Sequence, residues 1–421
     1  MTDRPIHVGP ARDADRFLAT DRAVWFSEPS TATLEERLLG LPADQRYAAA
    51  VPGADPAAYP GIYGDYAMTL WAPGTGATAR ELPCTGLTWV GVHPDHRRQG
   101  VLTAMMRHHL ERARARDGVH VSALHASEPG IYGRFGYGLA SLAVEVTLGR
   151  GTTFDAPHLD EEAAATTTRM GSVTEPDAHH RIRAVHVATA ELGTVAGEPD
   201  FYARLCRQLP EELRGKEPWR LLHAQRDGTD VGFAMFRRTQ RWERSRPAGR
   251  LEVWTVVGDP AARLALLRRL VEFDLVTSVQ VHATGVDDPL LRWVGGPRGT
   301  TDVATYDNLW LRLVDLREAL EARAWSAPCD VVVEVDDPLL PDNHGTWRIR
   351  TGSDGVASVE RTADPAEVAL PVAALGAAYL GGGNLVAMQQ AGQLVERRPG
   401  AVTELWRAMR TDVAPTAAWM F

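Results

Sequence analysis

The sequence predicts a protein of mixed α/β and α+β class with three domains. A chain of 421 residues has material for about three domains of roughly 150 residues each. The order strand, turn, helix and strand occurs in residues 87–124 and again in residues 251–282, which predicts two α/β domains. Short strands followed by helices occupy residues 331–409 and predict an α+β domain at the end of the chain.

The first predicted domain spans residues 1–148 and begins with a helix at residues 13–24. Residues 27–43 predict a second helix with loops. Strands are predicted at residues 47–51, 67–71, 87–92, 119–124 and 141–148. A further helix starts near Gln99, and because its apolar residues recur at helical spacing, one of its faces is predicted to be buried.

Residues 149–169 are predicted to connect the first domain to a second domain at residues 170–301. There the strand–helix–strand order returns, but the turn reads Gly258-Asp259-Pro260. The acidic Asp259 opposes phosphate binding, so this domain is predicted to be a degenerate copy that serves as scaffold. Chance similarity is the alternative, because strand–helix–strand units are common.

The third predicted domain spans residues 302–421. Its elements are predicted strands at residues 331–335, 346–349 and 358–361 and predicted helices at residues 372–379 and 401–409.

The turn Arg97-Arg98-Gln99-Gly100 of the first domain has the composition of an anion site. Gly100 lacks a Cβ, so the backbone around it allows an anion to approach closely. The helix that follows offers unpaired N–H groups and the positive end of its dipole. The turn therefore predicts binding of a phosphorylated cofactor. An ordinary turn beside a solvated arginine face is the alternative.

The bulk composition restricts the class of partner. The net charge of −9 argues against nucleic acid and favours cationic substrates, since a polyphosphate needs a concentrated positive field. Lys216 is the only lysine among 45 basic residues, so arginine pairs are common throughout this chain and each carries less weight.

Cysteine and histidine usage points to a reduced compartment and to no metal site. Three distant cysteines, Cys84, Cys206 and Cys329, predict buried free thiols. His179, His180 and His186 lack the i, i+4 spacing of a helical metal pair and are predicted to be solvated. The N-terminus lacks the apolar core of a signal peptide and no run is long enough to span a membrane, so a cytoplasmic location is expected.

The spacing of Arg97, Arg98, Gln99 and Gly100 resembles the acetyl-coenzyme A signature R/Q-x-x-G-x-G/A of the Gcn5-related N-acetyltransferases (GNAT). Leu102 departs from the last position, as it does in the Eis (enhanced intracellular survival) group of these enzymes. Three further segments, at residues 125–138, 309–323 and 412–421, are also similar to that group. The resemblance therefore covers nearly the whole chain. It implies tandem GNAT folds, the second degenerate, and a C-terminal sterol-carrier-like α+β domain.

The resemblance also implies roles for individual residues. Tyr132 is expected to be the general acid, and the free α-carboxylate of Phe421 the general base. Trp25, Glu28 and Trp89 are expected to contact the substrate. Acetyl-coenzyme A is expected to be bound by Val90, Gly91, Val92, Arg97, Arg98, Gln99, Gly100, Val101, Leu102, Thr103, Ser127 and Glu128, although a helix cap explains the last two almost as well.

The expected function is acetyl-coenzyme A-dependent acetylation of amino groups on small polycationic molecules such as aminoglycosides. Acetylation of protein lysines or of a biosynthetic amine is an alternative that the sequence does not separate from it. A non-catalytic carrier of acyl-coenzyme A or lipid is a third alternative, suggested by the sterol-carrier-like domain. The resemblance further implies a homo-hexamer.

Overall fold

The computed structural model describes residues 5–27, 30–76, 78–213 and 216–421. The chain divides into two compact units. The first contains residues 1–141, 309–412 and 421, and the second contains residues 142–308 and 413–420. The expected mixed α/β and α+β class is confirmed, because each unit combines sheets with helices.

The main sheet of the first unit has the strand order β1-β2-β3-β4-β5-β17-β6. Neighbouring strands are antiparallel except for the parallel pair β4 and β5. The strands are β1 (His7–Pro10), β2 (Arg46–Ala50), β3 (Gly61–Pro73), β4 (Ala79–Val92), β5 (Val121–His125), β6 (Gly138–Leu139) and β17 (Leu309–Leu313).

The helices of residues 1–141 are α1 (Ala14–Trp25), α2 (Leu34–Arg37), α3 (Val101–Arg114) and α4 (Pro129–Tyr132). Helix α3 connects the parallel strands β4 and β5, as the sequence predicts. Its apolar face is buried in the core of this part of the chain, at Val101, Met105, Met106, Leu110 and Ala113.

Residues 316–412 add a five-stranded sheet to the first unit, in the order β20-β19-β18-β21-β22. Its strands are β18 (Cys329–Asp336), β19 (Gly345–Thr351), β20 (Ala357–Arg361), β21 (Val368–Pro371) and β22 (Val395–Glu396). The helices are α11 (Leu316–Ala322), α12 (Val372–Ala378), α13 (Leu385–Gln390) and α14 (Ala401–Met409). Leu339 and Leu340, in the loop after β18, join the same core as α3.

The second unit has a sheet in the order β16-β7-β15-β14-β11-β10-β8. Its strands are β7 (Leu142–Gly149), β8 (Thr167–Ser172), β9 (Val195–Gly197), β10 (Arg220–Arg226), β11 (Thr229–Thr239), β12 (Trp242–Glu243), β13 (Arg246–Pro247), β14 (Gly249–Gly258), β15 (Val276–Thr284) and β16 (Asp302–Asp307). Its helices are α5 (Asp160–Ala165), α6 (Ala178–Ala188), α7 (Pro199–Cys206), α8 (Pro210–Leu213), α9 (Pro260–Val271) and α10 (Pro289–Trp293). Eight of the 12 residues of helix α9 are buried, and they belong to the hydrophobic core of this unit.

Two predicted boundaries differ from those in the structure. The strand expected to close the first domain, β7, pairs with β15 and β16 in the second unit. Strand β17, expected in the third domain, lies between β5 and β6 in the sheet of the first unit. Alternation of apolar residues predicts that a segment is a strand, but pairing with a distant partner decides which sheet it joins.

The three cysteines are buried free thiols, as expected. Among the residues that the structure describes, every helix is too short or too polar to cross a lipid bilayer.

Candidate active site

The parallel strands β4 and β5 form a fork at the centre of the first unit. Their ladder runs from Cys84 opposite Val121 to Gly86 opposite Ala123. Both strands continue past it, β4 to Val92 and β5 to His125. Beyond the last pair, the facing edges present backbone N–H and C=O groups that a linear amide-containing ligand is able to pair with.

A β-bulge lies on the β4 arm of the fork. Ile62 pairs with Gly91 and Gly64 with Thr88, so Trp89 and Val90 together oppose a single residue of β3. Trp89 has a φ of 53°, a left-handed conformation that is uncommon outside glycine. Bulges of this kind bend a strand and are common next to active sites. The predicted coenzyme residues Val90, Gly91 and Val92 thus lie on the arm that bends.

The structure places Trp89 against the core side of this arm. Its indole Nε1–H donates to the Tyr66 hydroxyl over 3.4 Å, and its ring lies 5.7 Å from that of Phe17. These contacts fix the orientation of the partly buried indole. Gly91 packs close to α1, because a Cβ there would lie 2.9 Å from Val24 Cγ2.

The predicted anion turn follows β4 directly. Arg97, Arg98, Gln99 and Gly100 are all exposed. Arg98 and Gly100 have positive φ values of 58° and 86°, and the Gln99 side chain donates to Asp95 O over 2.9 Å. The turn leads into the 14 residues of α3, whose first N–H groups have no partner within the helix. The turn therefore fits a pyrophosphate, with two arginines and a positive helix end at an accessible position.

The residues after the turn divide between core and surface. Val101 is buried in the core, Leu102 is partly buried and Thr103 is exposed. Gly100 and Thr103 also line a groove of about 490 Å³, beside Val8 of β1 and Ile6, which precedes that strand. Of the three residues that follow Gly100, only Thr103 therefore has a side chain freely available to a coenzyme.

Tyr132 ends the short helix α4 in the glycine-rich string after β5. The N–H of Tyr137 donates to Tyr132 O over 3.3 Å, and the two rings meet edge to face at 6.1 Å. Burial, with a smaller contribution from the charge of Glu128, raises the pKa of Tyr132 to about 12. The hydroxyl is therefore protonated at neutral pH, as a general acid requires.

A chain of buried polar side chains lies behind Tyr137. Its hydroxyl is 2.7 Å from Ser122 Oγ, which is 2.9 Å from His109 Nε2. His109 Nδ1 lies 3.6 Å from Asp65, whose other oxygen accepts from Arg116 over 2.7 Å. Asp65 has its pKa lowered, because the hydrogen bonds and charges of His109 and Arg116 outweigh its burial.

Sequence reasoning missed this chain of side chains. A signal was available, because His109 stands on the apolar face of α3 between Met106 and Leu110. A polar residue at such a position requires a buried partner. Asp65 and Ser122, on two different strands, gave no comparable signal.

Phe421 lies at the base of the fork. Its ring meets that of His125 edge to face, with the ring centres 4.9 Å apart. A Cβ on Gly86 would lie 2.8 Å from Phe421 Cε2, so glycine is needed there to leave room for the aromatic ring. Gly86 is the last β4 residue of the ladder with β5. Phe421 and the Tyr132 turn thus belong to the same unit as the fork and the anion turn.

The remaining predicted contacts that the structure describes lie at the surface. Trp25 and Phe26, at the end of α1, are 53% and 84% exposed. Glu28 lies outside the described residues. Ser127 and Glu128 are exposed, and Glu128 occupies the N-cap of α4 without making a side-chain capping bond. The structure therefore gives no support to the alternative in which Glu128 serves as a helix cap.

The expectation of a solvated His186 is wrong. This histidine of α6 is 2% exposed, and its Nδ1 lies 2.7 Å from the Tyr202 hydroxyl. Complete burial lowers its pKa to about 3, so it is neutral. Within residues 5–27, 30–76, 78–213 and 216–421, no group of three or more His, Cys, Asp or Glu residues is arranged to hold a metal ion.

Comparison with protein-family models identifies all three domains. An acetyltransferase (GNAT) domain model matches residues 66–140, and a second GNAT domain model matches residues 193–313. A sterol carrier protein domain model matches residues 316–419. The expected architecture of two GNAT folds and a sterol-carrier-like domain is thereby confirmed.

The relatives are N-acetyltransferases. An uncharacterized N-acetyltransferase of Streptomyces avermitilis is 38% identical over 361 residues, covering 84% of this chain and 85% of the relative. The crystal structure of Eis1 from Mycobacterium abscessus matches with a TM-score of 0.80 and 28% identity, covering 99% of this chain and 100% of the other. N-acetyltransferase Eis of Mycobacterium tuberculosis is 30% identical over 346 residues, covering 81% of each chain. This chain therefore belongs to the Eis-like N-acetyltransferases of the GNAT superfamily.

Proposed function

We propose that this N-acetyltransferase transfers the acetyl group of acetyl-coenzyme A to amino groups of small polycationic amines such as aminoglycosides. The observation that carries the proposal is the position of Phe421. Its ring fills the space beside Gly86 where β4 and β5 part, in the same unit as Tyr132 and the anion turn. A donor, a base and an acid thereby have candidate groups within one unit of the chain.

The donor is proposed to lie along the fork. Arg97, Arg98 and the N–H groups at the start of α3 suit its pyrophosphate. The backbone edges of β4 and β5 beyond their last pair, Gly86 and Ala123, suit the amides of its pantetheine arm, and the thioester follows toward the base of the fork. This arrangement holds the reacting carbonyl in a fixed orientation, which removes much of the entropic cost of a bimolecular reaction.

In the proposed reaction the amine nitrogen attacks the thioester carbonyl carbon. A C–N bond forms, the C–S bond breaks, and the departing thiolate accepts the hydroxyl proton of Tyr132. The nitrogen gives one proton to the α-carboxylate that a chain ending at Phe421 carries. Water then returns a proton from that carboxyl group to the Tyr132 phenolate, so the balance is one amide and one free thiol.

Aromatic surface and negative charge support a polycationic acceptor. Trp25 and Phe26 present exposed rings at the end of α1, and ammonium groups are attracted to aromatic faces. The net charge of −9 favours the approach of a molecule with several ammonium groups. Both features suit a small polyamine better than an acidic or neutral acceptor.

The test is free-thiol release from acetyl-coenzyme A in the presence of a panel of amines. The panel contains aminoglycosides, linear polyamines and lysine-containing peptides at equal amine concentration. Thiol release that depends on aminoglycosides, with the acetylated product identified by mass, is expected. Release with lysine peptides alone would favour the protein-lysine alternative, and no release with any amine would contradict the proposal.

The two proposed proton-transfer groups are tested separately with the same assay. We expect Tyr132→Phe to lower kcat by about 100-fold or more, the usual contribution of a general acid or base. A variant extended by two glycines past Phe421 keeps the aromatic ring but displaces the carboxylate, and a comparable loss is expected. Wild-type kcat in the extended variant would exclude the carboxylate of Phe421 as the base.

A further inference from the structure

The turn that carries Tyr132 is tied to the sterol-carrier-like domain by a buried ion pair. Arg312 of β17 has a completely buried side chain, and so does Asp337, which follows β18. Arg312 Nη2 donates to both carboxylate oxygens of Asp337, each over 2.7 Å. Its Nε donates to Phe135 O over 2.9 Å, three residues after Tyr132. One guanidinium group therefore connects the tyrosine turn to the third domain.

Asp337 is itself held in place from several directions. Its carboxylate accepts from the N–H groups of Leu339 and Leu340 over 3.2 and 3.1 Å, and from Asn343 Nδ2 over 3.0 Å. Each oxygen of the Asp337 carboxylate thus accepts at least two hydrogen bonds. Buried ion pairs often add little net stability compared with apolar side chains of the same size. What this pair adds is a fixed position for the Phe135 carbonyl.

Helix α12 presses on the same turn from the third domain. A Cβ on Gly138 would collide with Ala373 O and Ala377 N, and a Cβ on Gly376 would collide with Leu311 O. At Gly136, whose φ is 84°, a Cβ would lie 2.8 Å from Val372 Cγ1. The backbone of α12 therefore packs directly against the backbone of the glycine-rich segment that contains Tyr132. This close packing leaves the turn little freedom to shift.

We propose that the sterol-carrier-like domain acts in acetyl transfer, through Asp337, Arg312 and Val372 as positioning residues for Tyr132. Asp337 fixes Arg312, Arg312 fixes the Phe135 carbonyl, and Val372 covers Gly136 from the other side. The hydroxyl of Tyr132 is thereby held where the thiolate departs. This inference rests on the proposed role of Tyr132 as general acid.

The experiment measures kcat, the KM for acetyl-coenzyme A and its binding constant in the full-length protein. Asp337→Asn keeps the shape of the side chain but removes the charge that holds Arg312. We expect kcat to fall about tenfold, since small displacements of a catalytic group have effects of this order. Coenzyme binding stays at the wild-type value, because the fork and the anion turn are untouched. Asp330→Asn, at the partly exposed Asp330–Arg348 pair of the same domain, is the matched control and keeps the wild-type kcat.

A double-mutant cycle separates positioning from a general loss of structure. If Asp337 acts through Tyr132, then Asp337→Asn changes kcat less than about twofold in the Tyr132→Phe background, since residues that act as a unit are not additive. Losses that multiply in the double variant overturn the inference. If the Asp337→Asn variant fails to bind coenzyme, the milder Val372→Ala replaces it in the double-mutant cycle. A small change of kcat in the Tyr132→Phe background again supports the inference, and losses that multiply again overturn it.

The inference and the proposed function fail in different ways. Wild-type kcat in Tyr132→Phe overturns the role of Tyr132, and with it both proposals. A slow Tyr132→Phe together with wild-type kcat in Asp337→Asn and Val372→Ala overturns the positioning role alone.

Discussion

His186 of α6 is buried among aromatic side chains. The rings of Tyr202 and Trp419 lie next to its imidazole ring, with ring centres 5.9 and 6.0 Å away. Burial keeps the imidazole neutral, and its Nδ1 lies 2.7 Å from the Tyr202 hydroxyl.

The buried imidazole predicts acid-sensitive stability. Its pKa is lowered from 6.5 to about 3, so below pH 6.5 the unfolded chain binds a proton that the folded chain does not. The free energy of unfolding therefore falls as the pH drops from 6.5 toward 3, by about 1.4 kcal/mol per pH unit for this one group. Urea unfolding at a series of pH values from 7 to 4 measures this slope.

His186→Asn is the variant that isolates this contribution. The amide nitrogen replaces Nδ1 as the partner of the Tyr202 hydroxyl but does not titrate. We expect a constant loss of stability from the smaller side chain and a flatter dependence on pH than in the wild type. An unchanged slope would assign the acid sensitivity to other groups.

Tyr132 and Phe421 are candidate site residues that could be predicted from the sequence. Both were expected from the resemblance of their segments to a known family, and both belong to the unit that holds the fork. The chain of side chains from Tyr137 to Asp65 was not expected, because its members come from four separate segments that meet only in the folded protein.

At the scale of elements, α3 was predicted to begin near Gln99 and begins at Val101. Its N-cap is Gly100, with a φ of 86° and no side-chain capping bond. The open N–H groups of the first turn remain available to an anion for this reason. Gly100 thus has two roles: it adopts the positive φ that the turn requires, and it leaves the first N–H groups of α3 accessible to a ligand.

Gly100→Ala tests these two roles with Gly118→Ala as its matched control. Both glycines have positive φ values, 86° and 70°, and in both cases a Cβ would meet its nearest neighbour at an ordinary distance, 3.6 or 3.8 Å. Each alanine should therefore lower the free energy of unfolding by about 1–2 kcal/mol through backbone strain. Only Gly100→Ala should also raise the KM for acetyl-coenzyme A.

Thermal unfolding and steady-state kinetics on the two variants measure both effects. An equal rise in the KM for acetyl-coenzyme A in Gly118→Ala would mean that backbone strain weakens coenzyme binding by destabilising the fold as a whole. An unchanged KM in Gly100→Ala would contradict the placement of the pyrophosphate at this turn.

The elements themselves were more predictable than their pairing. Helix α14 coincides with its predicted bounds, Ala401–Met409, because its buried and exposed residues alternate at a clear helical period. Strand β7 was recognised as a strand but assigned to the first domain, whereas it pairs in the sheet of the second unit. Strand β17 was not among the predicted strands. Their partners lie more than 100 residues away for β7 and β15, and for β17 and β5. Local periodicity carries no information about such distant pairs.

At the scale of the whole molecule, the distribution of charge predicts that the two substrates are attracted by different parts of the protein. The protein has a net charge of −9, whereas the anion turn presents Arg97 and Arg98 at the surface. Binding of an anionic coenzyme is expected to depend on this local positive site. Attraction of a polycationic acceptor is expected to depend on the net negative charge of the whole protein. Salt should therefore act differently on the two binding steps.

We expect the kcat/KM of a polycationic amine, measured at saturating acetyl-coenzyme A, to fall by about tenfold between about 20 mM and about 300 mM sodium chloride. A monoamine acceptor is the control and should lose much less, since its single charge interacts weakly with the summed field. Saturation with coenzyme removes the effect of salt on the anion turn from this comparison. An equal loss for both amines would mean that salt acts on the enzyme or on the chemical step, and that the net charge does not guide the acceptor. A loss confined to the polycation would mean that its several ammonium groups are recognised by the negative charge of the protein as a whole.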